Sequence, residues 1–214
     1  MKIQKLLHSC LLIEDSGKRI LIDPGHYSAE LLAQIPKIDI VLITHTHGDH
    51  CHIPSIKKIV ERDAPKVICN SEIVIALEKE NITAQKIDIP QTVTEQGFTI
   101  TSVTGNHELL PMPVPMNNGF YINKRLFHPG DCHAFPKDLG ASPEILALPI
   151  AAPWGSVTRA VALARELKPK HVIPIHEGML ILAAQESFYQ HCLNGFAGTS
   201  IKFHPLKPNE ILEI

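Results

Sequence analysis

The sequence predicts an α/β fold built as a four-layer αββα sandwich, with two β-sheets face to face and helices on both outer sides. Three observations carry this prediction. Short apolar, β-branched runs occur in both halves of the chain. Amphipathic helical segments accompany them in each half. The 214 residues contain no linker, repeat or low-complexity stretch, so residues 1–214 are read as a single domain. A chain of this length buries roughly 70% of the surface that its unfolded form exposes, enough for one substantial core.

The first strands are Lys2 to Leu7, Cys10 to Glu14 and Arg19 to Ile22, with a turn over Asp15-Ser16-Gly17-Lys18. Asp39 to Ile43 is a short apolar run that stops at Thr44, the pattern of a buried strand that delivers the next loop to its C-terminal end. A helix starts near Ile53, where Pro54 falls in the first turn and its missing N–H costs little, and Lys66 to Cys69 is the next strand. Ser71 to Glu80 places Ile73, Ala76, Leu77 and Glu80 at helical spacing. Strands around Ala84 to Ile89, Phe98 to Val103, Gly119 to Ile122 and Arg125 to Phe127 make the second sheet. The clearest helix is Ser156 to Leu167, capped by Ser156, with Val157, Ala160, Val161, Ala164 and Leu167 on one face. His171 to Ile175 returns as a strand ending at His176. The tail adds a helix around Leu180 to Cys192 and strands near Ser200 to Phe203 and Glu210 to Ile214.

Hydrophobic residues at 44% and charged residues at 20% are an ordinary globular balance. A net charge of -2 without any Lys/Arg run gives no reason to expect a nucleic acid or an anionic membrane as partner. No apolar run approaches the ~20 residues of a membrane span, and the first residues lack a signal peptide's cleavage pattern, so a cytoplasmic location is expected. The five cysteines are scattered and form no Cys-x-x-Cys pair, consistent with reduced thiols. Histidine, at 13 residues, is the outlying number, because imidazole is the commonest metal ligand.

Those histidines are not evenly spread. Thr44-His45-Thr46-His47-Gly48-Asp49-His50 puts four potential ligands, in the order His-x-His-x-Asp-His, into six residues just beyond an apolar strand. In an extended or turning loop His45 and His47 point to one side, and Gly48 lets the chain fold Asp49 and His50 back. Two imidazoles can then share one metal while Asp49 and His50 serve a second. Core packing does not call for His, Asp and Gly in this register, whereas active-site loops sit at such strand ends.

With this motif the sequence resembles the metallo-β-lactamase superfamily, in particular its small cytoplasmic hydrolases similar to ascorbate-phosphate lactonases and N-acyl phosphatidylethanolamine phospholipases. The resemblance spans nearly the whole chain. It takes in His8-Ser9-Cys10 and Ile20-Leu21-Ile22-Asp23-Pro24, then Gly105-Asn106-His107, His128-Pro129-Gly130-Asp131 and Ile173-Pro174-Ile175-His176. It implies that His45, His47 and His107 hold one metal, that Asp49, His50 and His176 hold the other, and that Asp131 bridges them. Asp23 is the candidate carboxylate behind a ligand imidazole. Asp49, Asp131 and His128 are the candidate catalytic residues, although His128 and His8 can equally serve as hydrogen-bond partners of the backbone. Cys51 and Cys132 adjoin ligands and are read as packing. His26, His52, His133, His171, His191 and His204 receive no functional role.

The implied activity is hydrolysis by a binuclear centre that activates water against an ester, phosphodiester, lactone or amide bond. Zinc suits these ligands first, with manganese or iron accepted by the same set. Two divalent cations outweigh two carboxylates and a hydroxide, which favours an anionic small-molecule substrate. The segment Glu108 to Asn118 carries Leu109, Leu110, Met112, Val114 and Met116 among Pro111, Pro113 and Pro115. This stiff apolar segment is either a pocket wall opposite Trp154 or a subunit contact of a homo-oligomer. The alternatives are an RNA-processing nuclease of the same superfamily, for which the chain lacks a basic arm, and a non-heme iron oxidoreductase, in which an acidic residue replaces His47 and a flavin domain is usually fused.

Overall fold

The computed structural model describes residues 1–214 apart from 135, 137 and 138, and describes Thr104 by its backbone alone. Its strands are β1 (Lys2–Leu7), β2 (Cys10–Asp15), β3 (Lys18–Ile22), β4 (Ile40–Ile43), β5 (Lys66–Cys69), β6 (Gln85–Lys86), β7 (Gln91–Glu95), β8 (Phe98–Thr104), β9 (Asn118–Ile122), β10 (Leu126–His128), β11 (Ile145–Pro149), β12 (His171–Ile175), β13 (Lys202–Phe203) and β14 (Ile211–Glu213). The α-helices are α1 (Ile53–Asp63), α2 (Ser71–Glu78), α3 (Val157–Leu167) and α4 (Leu182–Phe196). One sheet has the order β14-β1-β2-β3-β4-β5-β6 and the other β13-β12-β11-β10-β9-β8-β7.

Alternation of side chains across each strand builds the layers. Ile40 and Leu42 of β4 join Ile20, Ile22, Ile145, Ala147, Ile173 and Ile175 in a core between the two sheets. Val41 and Ile43 point the other way and pack with Ile56 and Ile59 of α1 and Ile73 and Leu77 of α2. On the second sheet Leu146, Leu148 and Val172 pack with Ala160, Leu163, Ala164 and Leu167 of α3 and Cys192 and Phe196 of α4. Strands buried on both faces must be apolar at every position, which is what β4 and β11 show. With each buried Ile or Leu contributing roughly 1.5–3 kcal/mol, these three clusters fix which face of every strand looks where. The αββα sandwich expected from the sequence is the fold observed.

Local signals match at several ends. Asp15 pairs with Lys18 across Ser16 and Gly17, both at positive φ (52° and 76°), the mirror-image turn that suits a two-residue hairpin. The Ser156 side chain accepts a hydrogen bond from Arg159 N, capping α3. The strand expected over Ala84 to Ile89 as part of the second sheet is β6, which pairs parallel to β5 at the edge of the first. Two strands are additional to the expected set. β7 is a polar edge strand, and β11 is an unbroken apolar run that periodicity alone does not distinguish from a helix. The tail helix also runs further than expected, to Phe196. Among the described residues no helix is long and apolar enough to cross a membrane.

Candidate metal centre

β4 ends at Ile43, β8 at Thr104, β10 at His128 and β12 at Ile175, and the loops leaving these four ends carry all seven expected ligands. β8 and β10 are each antiparallel to β9, and β10 and β12 are each parallel to β11. All three therefore point the same way and open their loops on one edge of the sandwich, the usual place for a site at the C-terminal ends of strands.

Two groups of side chains form there: His45, His47, His107 and Asp131, and beside them His8, Asp49, His50 and His176. Within each group the ligand atoms lie within 4.8 Å of one another. Asp131 stands between the groups. Its Oδ1 is 3.0 Å from His50 Nε2, and its Oδ2 is 3.1 Å from His176 Nε2, 3.4 Å from His107 Nε2 and 3.8 Å from His45 Nε2. His47 enters through Nδ1, 3.2 Å from His107 Nε2. Asp49 Oδ2 lies 3.6 Å from His176 Nε2 and 3.8 Å from His50 Nε2.

The imidazoles are oriented from behind. His107 Nδ1 donates to Glu108 O at 2.6 Å and His176 Nδ1 to Ala151 O at 2.7 Å. Asp23 Oδ2 accepts from His50 Nδ1 at 2.7 Å and from the Thr44 hydroxyl at 2.8 Å, while its Oδ1 accepts from Thr44 N at 2.8 Å. Because the Thr44 hydroxyl spends its proton on Asp23, it accepts from His45 Nδ1 at 3.0 Å. One buried carboxylate thus orients an imidazole of each group, His50 directly and His45 through Thr44.

Burial and crowding set the electrostatics. Burial opposes charge on Asp131, but His50, His176 and His107 outweigh it and hold the carboxyl well below its usual range. Burial also opposes charge on Asp49, and the His8 hydrogen bond and His50 reverse that, so its pKa is lowered. His50 is held well above an ordinary imidazole because Asp131 and Asp23 outweigh its burial. Burial and the neighbouring His50 push His45 well below. Burial brings His8 down to about 4.

Of the seven buried side-chain atoms without a hydrogen-bond partner among the described residues, three, His45 Nε2, His50 Nε2 and Asp131 Oδ1, face into the cluster. Each unpaired buried polar atom costs about 1–3 kcal/mol. Imidazole nitrogens and carboxylate oxygens gathered within ligand distance suit divalent transition metals, so the residues present fit the cations that the motif implies.

His128 is the exception among the candidate catalytic residues. It is fully buried, its Nε2 donates to Ser9 O at 3.0 Å, and its Nδ1 accepts from Gly130 N at 3.3 Å. With both ring nitrogens engaged by backbone it has none to offer a substrate, and the backbone-partner alternative is the one observed. Cys51 and Cys132 are buried. His133, given no role from sequence, supports the site from outside: its Nε2 donates to Pro149 O at 2.7 Å and its ring lies 5.0 Å, centroid to centroid, from Trp154. A Cβ on Gly155 would come within 2.8 Å of that ring, so the loop needs glycine there. Trp154 in turn donates from Nε1 to Asp131 Oδ2 at 3.0 Å. The one sequence signal for this contact was that a tryptophan near a metal site carries a polar N–H needing a partner.

A Beta-lactamase superfamily domain model matches residues 2–176 of the chain. A UPF0173 metal-dependent hydrolase of Nanoarchaeum equitans is 31% identical over 190 residues, 82% of this chain and 83% of the relative. Another, of Thermococcus onnurineus, is 30% identical over 231 residues, covering 100% of both. In fold the chain is similar to Igni18, a metallo hydrolase from Ignicoccus hospitalis, with a TM-score of 0.80, 24% identity and coverage of 100% of this chain and 98% of that one. With the ligand cluster at the strand ends, these likenesses establish that the chain belongs to the metallo-β-lactamase superfamily and is a metal-dependent hydrolase.

Proposed function

We propose that the chain is a two-cation hydrolase of small anionic molecules, cleaving an ester, phosphodiester, lactone or amide bond. The observation that carries this reading is Asp131, whose Oδ1 lies 3.0 Å from His50 of one ligand group while its Oδ2, 3.1 Å from His176 of that group, also lies 3.4 Å from His107 of the other. In this reading His45, His47 and His107 would hold one cation and Asp49, His50 and His176 the other, with Asp131, placed between the two groups, available to both. Zinc suits the donors first, and manganese or iron are accepted by the same set. Bound divalent cations supply Lewis acidity and bring the pKa of water towards neutrality.

The chain's own residues then have distinct tasks. Asp131, 2% exposed at its side chain, sets the separation of the two halves and stays ionised because imidazoles surround it. Asp49, 21% exposed, is the carboxylate nearer solvent, and its lowered pKa keeps it ionised, an acceptor that orients the attacking water. Trp154 donates from Nε1 to Asp131 Oδ2 and holds that carboxylate in place. The excess positive charge of the loaded site favours an anionic substrate.

The exposed apolar side chains around the site fit a substrate that also carries an apolar group. An open groove of about 430 Å³, lined by Thr46, His47, Glu72, Pro113, Val114 and Pro115, runs from ligand His47 along the proline-rich segment. That segment is pinned at both ends: Glu108 N donates to Asp131 O, and Met116 N donates to Glu72 Oε2. Six of the nine exposed large hydrophobics among the described residues follow ligands His107 and His176 directly: Leu109, Met112 and Met116, and Met179, Ile181 and Leu182. A groove that begins at a ligand favours a pocket wall over a subunit contact. Five buried, unpaired thiols support the cytoplasm as the working compartment. The test is a screen of zinc- and manganese-loaded protein against phosphodiesters, lactones, thioesters and β-lactams bearing short or long alkyl groups. Turnover that disappears in Asp131→Ala and rises with alkyl length supports the reading. Turnover indifferent to Asp131→Ala refutes it.

A further inference from the structure

The Asp49 group contains a fourth potential ligand, His8, and its hydrogen bonds set it apart from the other imidazoles of the site. His45, His50, His107 and His176 each use Nδ1 as a donor, to Thr44 Oγ1, Asp23, Glu108 O and Ala151 O respectively, so in the neutral ring Nε2 is the nitrogen each can offer a cation. His8 has the opposite polarity. Its Nδ1 faces the backbone N–H of Gly178 at 3.2 Å, and an imidazole nitrogen met by an N–H can only accept. The ring proton is therefore on Nε2, which lies 3.2 Å from Asp49 Oδ2. A nitrogen that carries a proton has no lone pair for a cation.

Resting on the two-cation reading above, we infer that His8 is a positioning residue rather than a ligand: it donates its Nε2–H to Asp49 and fixes the plane of that carboxylate against His50 and His176. The backbone is built for this contact. Leu7 pairs with Cys10 across His8 and Ser9, and His8 sits at φ 57°, at the first loop position of a tight hairpin that ordinarily takes glycine. A non-glycine residue held there costs of order 1–3 kcal/mol, and such strain persists where the surroundings over-determine it. The surroundings do so here. The His8 ring is fully buried, packs at a tilt 4.1 Å from the His176 ring and 4.7 Å from Tyr27, centroid to centroid, and closes against Gly178, where a Cβ would lie 2.9 Å from His8 Cβ. His176, the ligand beneath it, is itself at φ 68°. Two strained residues from different sheets thus meet at one carboxylate.

Histidine-detected ¹⁵N NMR on the full chain, before and after zinc, tests this directly, with zinc stoichiometry and affinity measured for His8→Gln, His8→Ala and His50→Ala. His8 is expected to show the Nε2–H tautomer in both spectra, while His50 shows Nδ1–H and a zinc-shifted Nε2. His8→Gln, whose amide nitrogen replaces the Nε2 donor, should keep both zinc ions with affinity within about threefold of wild type. His8→Ala should keep the stoichiometry and lose roughly 10–100-fold in affinity, the usual effect of removing a ligand's hydrogen-bond partner. An Nδ1–H tautomer before zinc, a zinc-shifted His8 Nε2 after it, or loss of one zinc in His8→Gln to the extent seen in His50→Ala would overturn the inference. Absence of zinc uptake by wild type would instead strike the two-cation reading, and the spectrum taken before zinc would still decide the hydrogen bond.

Discussion

His50 Nδ1 lies 2.7 Å from Asp23 Oδ2, and that contact turns His50 Nε2 into the cluster, 3.0 Å from Asp131 Oδ1. Since Asp23 also orients His45 through Thr44, one side chain governs an imidazole on each side of the centre. Asp23→Asn should therefore weaken metal binding roughly 10–100-fold, and at both positions rather than one. Trp154, the single tryptophan of the chain, donates to Asp131 and reports the titration through its fluorescence. Biphasic binding in which only one phase weakens would show that Thr44 does not carry the effect to His45.

The raised pKa of His50 makes metal binding compete with a proton. Burial lowers this pKa and the charges of Asp131 and Asp23 more than restore it, so the ring holds its proton at pH values above 6.5. Affinity on the Asp49 side should rise as pH climbs through that raised value, with proton release seen by calorimetry in buffers of different ionisation enthalpy. In chelator-treated protein the same proton stabilises the fold. That contribution is fully present below about 6.5 and is lost as pH rises through the folded pKa. Denaturation midpoints across pH 6 to 9, compared with Asp23→Asn, would reveal a flat profile if the pair is not coupled.

Much of the fold and the site is legible in the sequence alone. His-x-His-x-Asp-His carries its own geometry, because an apolar strand that stops at Thr44 delivers the loop; the turn does not need the freedom expected of Gly48, which is not at positive φ and has room for a Cβ. His107, Asp131 and His176 are legible from residue type, strand-end position and resemblance. β11 and β7 are not, since a short run buried on both faces and a polar edge strand each lack a diagnostic period. Nor are the polarity of His8, the engagement of His128 or the Trp154 to Asp131 bond legible. Each depends on which backbone N–H or C=O a distant loop presents, and Gly178, Ser9 and the 151–155 turn come from remote parts of the chain.

The apolar rim separates pocket from interface. A Met112→Ser, Met116→Ser double variant should lower kcat/KM severalfold for substrates with long alkyl groups, leave short ones unaffected and keep the solution mass unchanged. Light scattering that finds the variant dissociated, with kinetics unaltered, would make the segment a subunit contact instead.

Elemental analysis of the purified chain tests the central claim most directly, because everything proposed for Asp49, Asp131 and His8 depends on paired cations. The account predicts close to two transition-metal ions per chain. His45→Ala or His107→Ala should empty one position and His176→Ala the other, since these residues belong to different ligand groups. A wild-type protein that holds no metal after reconstitution with zinc or manganese would contradict it.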